Sequence, residues 1–207
     1  FWIDFKRDHG GDLYSSRCNF IAISHLSQYG DVYWYFFSYD SIPSFDVGYT
    51  DGGQSWSDPV AIDPHSGVRL DAETDVLNLP NGEILAALRG DGQVNLHFAT
   101  SADQGLTWSK IKDSGFLGHS PHLTRLSTGE ILLTHRQPAT SLHISRDDAK
   151  SWQGPFEIDS VGGAYPSTVE LKDGTVLAVY YEEGPTSAVR AVRFRVTADG
   201  IEKLGWE

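Results

Sequence analysis

One eight-residue frame recurs in this chain, and the period it sets restricts the fold more than any other feature. It reads S-x-D-x-G-x-[ST]-W and is complete at Ser101–Trp108. Tyr49–Trp56 repeats it with a tyrosine in first place, and Ser145–Trp152 repeats it with Ala149 in place of the glycine. The chemistry is that of a hairpin clip. The aspartates Asp51, Asp103 and Asp147 can accept hydrogen bonds from turn amides, the glycine position can take a positive φ, and the tryptophan can plug the space beneath an adjoining strand. Their role reads as structural, because a calcium site needs more oxygen ligands than the frame offers. Recurrence at about 45–50 residues means one supersecondary unit per period.

The runs between the clips say what that unit is. Asn19–Leu26, Val32–Phe37 and Phe45–Tyr49 are short and rich in β-branched and aromatic residues, as are Thr74–Leu79, Glu83–Arg89 and Val94–Phe98. The order returns at His122–Leu126, Glu130–Arg136 and Ser141–Ile144, and again at Ser167–Leu171, Thr175–Tyr181 and Ala188–Val196. Tight turns at Gly30, Gly82, Gly129 and Gly174 keep the same period as the clips. Four short strands per period, with no competing helical pattern, predict an all-β fold of the β-propeller kind with about four blades. The expected organisation is an N-terminal loop or remnant of an upstream blade at 1–18, then units at 19–64, 65–112, 113–156 and 157–207. Because the pattern begins partway through a unit and the chain contains no Met, these blades are expected to be part of a larger ring.

Composition removes some functions and leaves others. With 40% hydrophobic and 12% aromatic residues the chain can bury a core. A formal charge of −12 argues against nucleic acid, whose phosphates need clustered Lys and Arg. It does not exclude an acidic small molecule, since a few arginines focused in a cleft can hold one. The single Cys18 cannot form an internal disulfide and leaves the redox compartment open. No apolar run approaches the roughly 18 residues of a membrane span, and no cofactor motif stands out.

Registering the units on their turn glycines shows which residues belong together. Glu73, Ser120 and Tyr165 each stand nine positions before Gly82, Gly129 and Gly174, at the start of a first strand. In a propeller these strands line the central channel, so the three side chains should face one cavity. Arg89, Arg136 and Tyr181 each stand seven positions after the same glycines. Asp75 lies two residues beyond Glu73 on the same strand face and rivals it for any role there. His119 and His122 flank Ser120 and Pro121; they suit contact with a ligand better than a metal, for which no third ligand at suitable spacing is evident. His97 and His143 precede clips and are expected to pack between blades.

With these residues in view, the chain resembles the sialidase (neuraminidase) superfamily and the wider families that carry Asp-box repeats. The clips match the Asp box, and Ala164–Ser167, Leu171–Gly174 and Tyr180–Glu182 look like the blade that bears the family's tyrosine. The likeness runs from about Asn19 to Val196, and the order Glu, Arg, Arg, Tyr is its most specific part. It implies a six-bladed ring and an exo-glycoside hydrolase that cleaves terminal sialic acid. Tyr165 would be the nucleophile and Glu73 its activating base. Arg89 and Arg136 would be two of three arginines that clamp the substrate carboxylate, with His119 and Asp75 also touching substrate. A neutral phenol suits a sugar with a carboxylate on its reacting carbon, because a carboxylate nucleophile would be repelled. The planar guanidinium fork suits the clamp. A sialoside or other acidic glycan is the implied partner, and secretion or the periplasm the implied location.

The family's third clamp arginine and its acid aspartate fall N-terminal to the Glu73 blade. Arg7, Asp8, Asp12 and Arg17 are available there, none within the family's motif. Structural roles stay open for each residue: Tyr165 packing on a neighbouring blade, Glu73 as a solvated turn residue, Arg89 and Arg136 guarding strand ends. Two other functions also stay open. One is a rhamnosidase or polysaccharide lyase on the same scaffold, working through His119 or His122; the other is a carbohydrate-binding propeller without catalysis.

Overall fold

A computed structural model describes residues 60–206 other than Ala72, Glu183, Pro185 and Thr186, together with strand backbone at 19–20, 33–37 and 45–48. The clip at Tyr49–Trp56 and the residues Arg7, Asp8, Asp12, Arg17 and Cys18 lie outside the described residues. The described chain is all-β and forms four four-stranded antiparallel sheets. The first holds β1 (Asn19–Phe20), β2 (Tyr33–Phe37), β3 (Phe45–Gly48) and β4 (Val60–Ala61). The second holds β5 (Asp75–Asn78), β6 (Ile84–Leu88), β7 (His97–Ser101) and β8 (Lys112–Asp113). The third holds β9 (His122–Arg125), β10 (Ile131–His135), β11 (Thr140–Ser145) and β12 (Gln153–Asp159). The fourth holds β13 (Gly163–Glu170), β14 (Val176–Glu182), β15 (Val189–Thr197) and β16 (Gly200–Leu204). In every sheet each strand pairs with the next in sequence, which is the up-and-down meander of a propeller blade.

Burial along the second strands explains why the sheets stack. Successive residues of a strand point to opposite faces. In β6, Ile84, Ala86 and Leu88 join Ile62, Val76 and Ala99 in one core, while Leu85 and Ala87 join Leu123, Ile131 and Leu133 in another. In β10, Ile131 and Leu133 serve that second core, and Leu132 turns the other way to meet Leu142, Ile144, Ala178 and Phe194. β6 and β10 are thus apolar on both faces because each is packed on both sides. The fourth sheet differs: Val176, Ala178 and Tyr180 are buried against the third, while Val179 and Tyr181 on the opposite face are 37% and 39% exposed. The described sheets form a partial β-propeller.

The clips close the third and fourth strands as the sequence predicts. In the second sheet Ser101 Oγ accepts from Gly105 N at 2.8 Å, and Asp103 accepts from Thr107 N at 2.8 Å and Thr107 Oγ1 at 2.6 Å. The third sheet repeats the pattern through Ser145, Asp147 and Ser151, with Ala149 at a φ of +64° where Gly105 has +84°. Trp152 reaches back to the preceding sheet, stacked on Phe98 with centroids 5.2 Å apart. The third strand of the second unit begins later than its apolar run suggests. Val94–Leu96 precede β7, and Leu96 instead pairs its backbone with Ser114 and Phe116. The third unit also runs past its expected end at 156, because β12 extends to Asp159.

Candidate active site

The three residues registered on the turn glycines share a backbone conformation that non-glycine residues rarely adopt. Glu73, Ser120 and Tyr165 have φ of +76°, +51° and +51°. Left-handed φ at a non-glycine residue costs on the order of 1–3 kcal/mol and persists only where the surroundings hold it. Here it is held three times at equivalent places, at or just before the first strands of three successive sheets. The result is a meeting of side chains far apart in sequence.

Glu73 lies at the centre and is 5% exposed. Its Oε1 accepts from Tyr165 Oη at 2.6 Å. Its Oε2 accepts from Ser120 N at 2.9 Å and from Ser120 Oγ at 3.2 Å, and pairs with Arg89 Nη1 at 2.6 Å. Arg89 is held from its other side by Asp71, whose Oδ2 lies 3.1 Å from Nη2. Arg136 places its guanidinium carbon 5.8 Å from the Tyr165 ring centroid. Tyr181, at the third of the arginine positions, stacks on Tyr165 with centroids 6.0 Å apart. Tyr165 keeps 38% of its surface exposed, so the phenol is both hydrogen-bonded to a buried carboxylate and open to solvent.

The charges sort the roles. Burial pushes the Glu73 carboxyl up, but the Tyr165 hydrogen bond, the Arg89 charge and hydrogen bond, and the Ser120 amide together hold it below its ordinary range. Burial, then the hydrogen bond to Glu73 and its negative charge, push the Tyr165 phenol well above its ordinary range, with Arg136 opposing. The pair is therefore a neutral phenol donating to an ionised carboxylate at neutral pH.

The other expected residues fall in different surroundings. Asp75 is 1% exposed and its Oδ2 accepts from Leu123 N at 2.7 Å, so it stitches the second sheet to the third rather than sharing Tyr165 with Glu73. His122, at the equivalent place one unit on, lies 3.4 Å from Thr168 N through Nδ1. His119 is buried with Nε2 3.0 Å from Gly92 O, and its backbone carbonyl accepts from Arg136 N at 2.9 Å. Burial, then the Arg89 charge, keep its imidazole neutral more readily than usual. His143 packs as expected: it stacks on Phe116 with centroids 3.7 Å apart and shares a 2.9 Å hydrogen bond with His135. Burial lowers these two imidazoles to about 4 and about 3, so the pair is neutral. Among the described residues no three His, Cys, Asp or Glu cluster as a metal site would require, and no helix is long and apolar enough to cross a membrane.

Two members of the cluster carry little signal in the sequence. Asp71 is legible only as a second acidic residue two positions before Glu73 on the approach to β5. Ser120 registers with Glu73 and Tyr165, but nothing in a serine's identity announces that both its donors meet one carboxylate oxygen.

No protein-family model matches the chain, and neither does any curated protein sequence. Solved structures do match. The intramolecular trans-sialidase from Ruminococcus gnavus is 18% identical with a TM-score of 0.64, covering 88% of this chain and 44% of that one. A variant of the NanB sialidase from Streptococcus pneumoniae is 21% identical with a TM-score of 0.60, covering 77% of this chain and 27% of that one. An ulvan lyase of polysaccharide lyase family PL25 is 13% identical with a TM-score of 0.62, covering 86% of this chain and 53% of that one. Likeness at this identity establishes the fold, a propeller of the type these proteins share. The chain spans about half or less of the length of each.

Proposed function

We propose that this chain carries the nucleophilic part of a glycan-cleaving site of the sialidase kind. The observation that carries the reading is the 2.6 Å contact between Tyr165 Oη and the buried Glu73 carboxylate, made across residues 92 positions apart. Tyr165 Oη forms a bond to the anomeric carbon as its proton passes to Glu73 Oε1, and the glycosidic C–O bond breaks with its electron pair on the leaving oxygen. That oxygen takes its proton from an acid outside this cluster. Water then attacks the anomeric carbon, losing a proton to the conjugate base of that outside acid, and the bond to Tyr165 Oη breaks as Glu73 returns its proton to the phenolate. Arg136, whose guanidinium carbon lies 5.8 Å from the Tyr165 ring centroid, is the arginine we assign to a substrate carboxylate. Arg89, with Nη1 on Glu73 and Nη2 on Asp71, instead keeps Glu73 charged. The resemblance of the fold to two proteins named as sialidases supports the substrate class.

The test is turnover of a fluorogenic sialoside by the chain and by Tyr165→Phe. The variant is expected to lose activity by about three orders of magnitude or more with its fold intact. Unchanged turnover in Tyr165→Phe would remove the nucleophile assignment. A lyase reading is favoured by one observation, the buried His119 adjoining Ser120, which binds Glu73. It is distinguished by activity on a uronic polysaccharide that survives Tyr165→Phe and is lost in His119→Ala.

A further inference from the structure

We propose that Ser120 is the positioning residue that orients the Glu73 carboxylate for the phenol, an inference that rests on the Tyr165–Glu73 reading above. Glu73 precedes the second sheet and Tyr165 lies in the fourth, so their contact must pass over the third. Ser120 occupies the equivalent place in the third sheet, 4% exposed, and its short side chain leaves the phenol a path to the carboxylate. Its left-handed backbone turns N–H and Oγ toward one oxygen, Glu73 Oε2, which also meets Arg89. Three donors on Oε2 pin the carboxylate against rotation about its last bond. Oε1 is thereby left aimed at Tyr165. A longer residue at 120 would stand between the two reacting groups, and one without a hydroxyl would drop one of the two donors that come from the third sheet. The groups facing Glu73 are Arg89, Tyr165 and Ser120, with His119 and Asp71 behind them, and only Ser120 holds the carboxylate without itself carrying charge or reacting.

The chain is examined with Ser120→Ala and Ser120→Gly, beside Tyr165→Phe. Both Ser120 variants remove the hydroxyl but differ in the backbone, since glycine accepts a φ of +51° without strain while alanine keeps the strain that serine carries. In each, carboxyl carbon NMR of the Glu-labelled chain is expected to show Glu73 titrating at higher pH than in the wild type. Turnover of the sialoside is expected to fall about tenfold through kcat, with KM little changed and the acid limb of the profile moved the same way. Ser120→Gly should melt no lower than Ser120→Ala while being equally impaired. If activity instead follows melting temperature, or if Glu73 titrates as in the wild type in both variants, Ser120 is structural and the inference fails. Full turnover in Tyr165→Phe would overturn the parent reading and leave the titration result to judge Ser120's hold on Glu73 alone.

Discussion

Glu73→Gln is expected to lower sialoside turnover by about 10²–10⁴-fold, the usual contribution of a positioned proton acceptor, while leaving the sheets folded. Ser120 and Arg89 present only donors to Oε2, so the glutamine carbonyl must turn toward them. Its amide NH₂ then faces Tyr165, and the phenol loses its proton acceptor. The loss is therefore one of chemistry rather than of packing, and circular dichroism of the variant should match the wild type. The same reasoning sets the pH profile. Because Glu73 is held below its ordinary 4.5, it stays ionised through mild acid. The acid limb of kcat/KM should lie below that value, and a limb at pH 6–7 would show that Glu73 is not the group being titrated.

The largest expected loss of stability is at Phe194. It is fully buried between the third and fourth sheets with Ile144, Ile158 and Ala178. Phe194→Ala is expected to cost about 3–5 kcal/mol, because the removed ring leaves a cavity that the facing strands cannot collapse to fill. Leu106→Ala, at a clip residue that is 67% exposed, should change stability by no more than about 0.5 kcal/mol. Urea unfolding of both variants measures the difference. Equal losses would mean that Phe194 is not packed between the third and fourth sheets as described above.

The fold was readable in the sequence because its determinants are local. The Ser101–Thr107 hydrogen bonds span only a few residues, so the clip can be recognised from its letters, and the turn glycines fix the register of the hairpins. That register alone brought Glu73, Ser120 and Tyr165 to equivalent places, and the structure gives all three the same unusual backbone sign. Apolar runs are a weaker guide to strand ends: Val94–Phe98 reads as a strand from its apolar residues, yet the buried Leu96 pairs its backbone with Ser114 and Phe116 rather than with β6. Side-chain partners between sheets were harder still. Nothing in the letters distinguishes an Arg89 that clamps a ligand from one already held by Glu73 and Asp71, nor an Asp75 that touches substrate from one that binds Leu123 N. These depend on rotamers and on sheet-to-sheet distance, which a repeat period does not contain.

A fluorinated sialosyl fluoride, in which a ring fluorine slows breakdown of the glycosyl-enzyme, followed by peptide mapping in a mass spectrometer, bears most directly on the pairing of Tyr165 with Glu73. The predicted result is one sialosyl adduct on the peptide containing Tyr165, assigned to its phenolic oxygen and absent from Tyr165→Phe. An adduct on a carboxylate side chain, or steady hydrolysis with Tyr165 unlabelled, would contradict it.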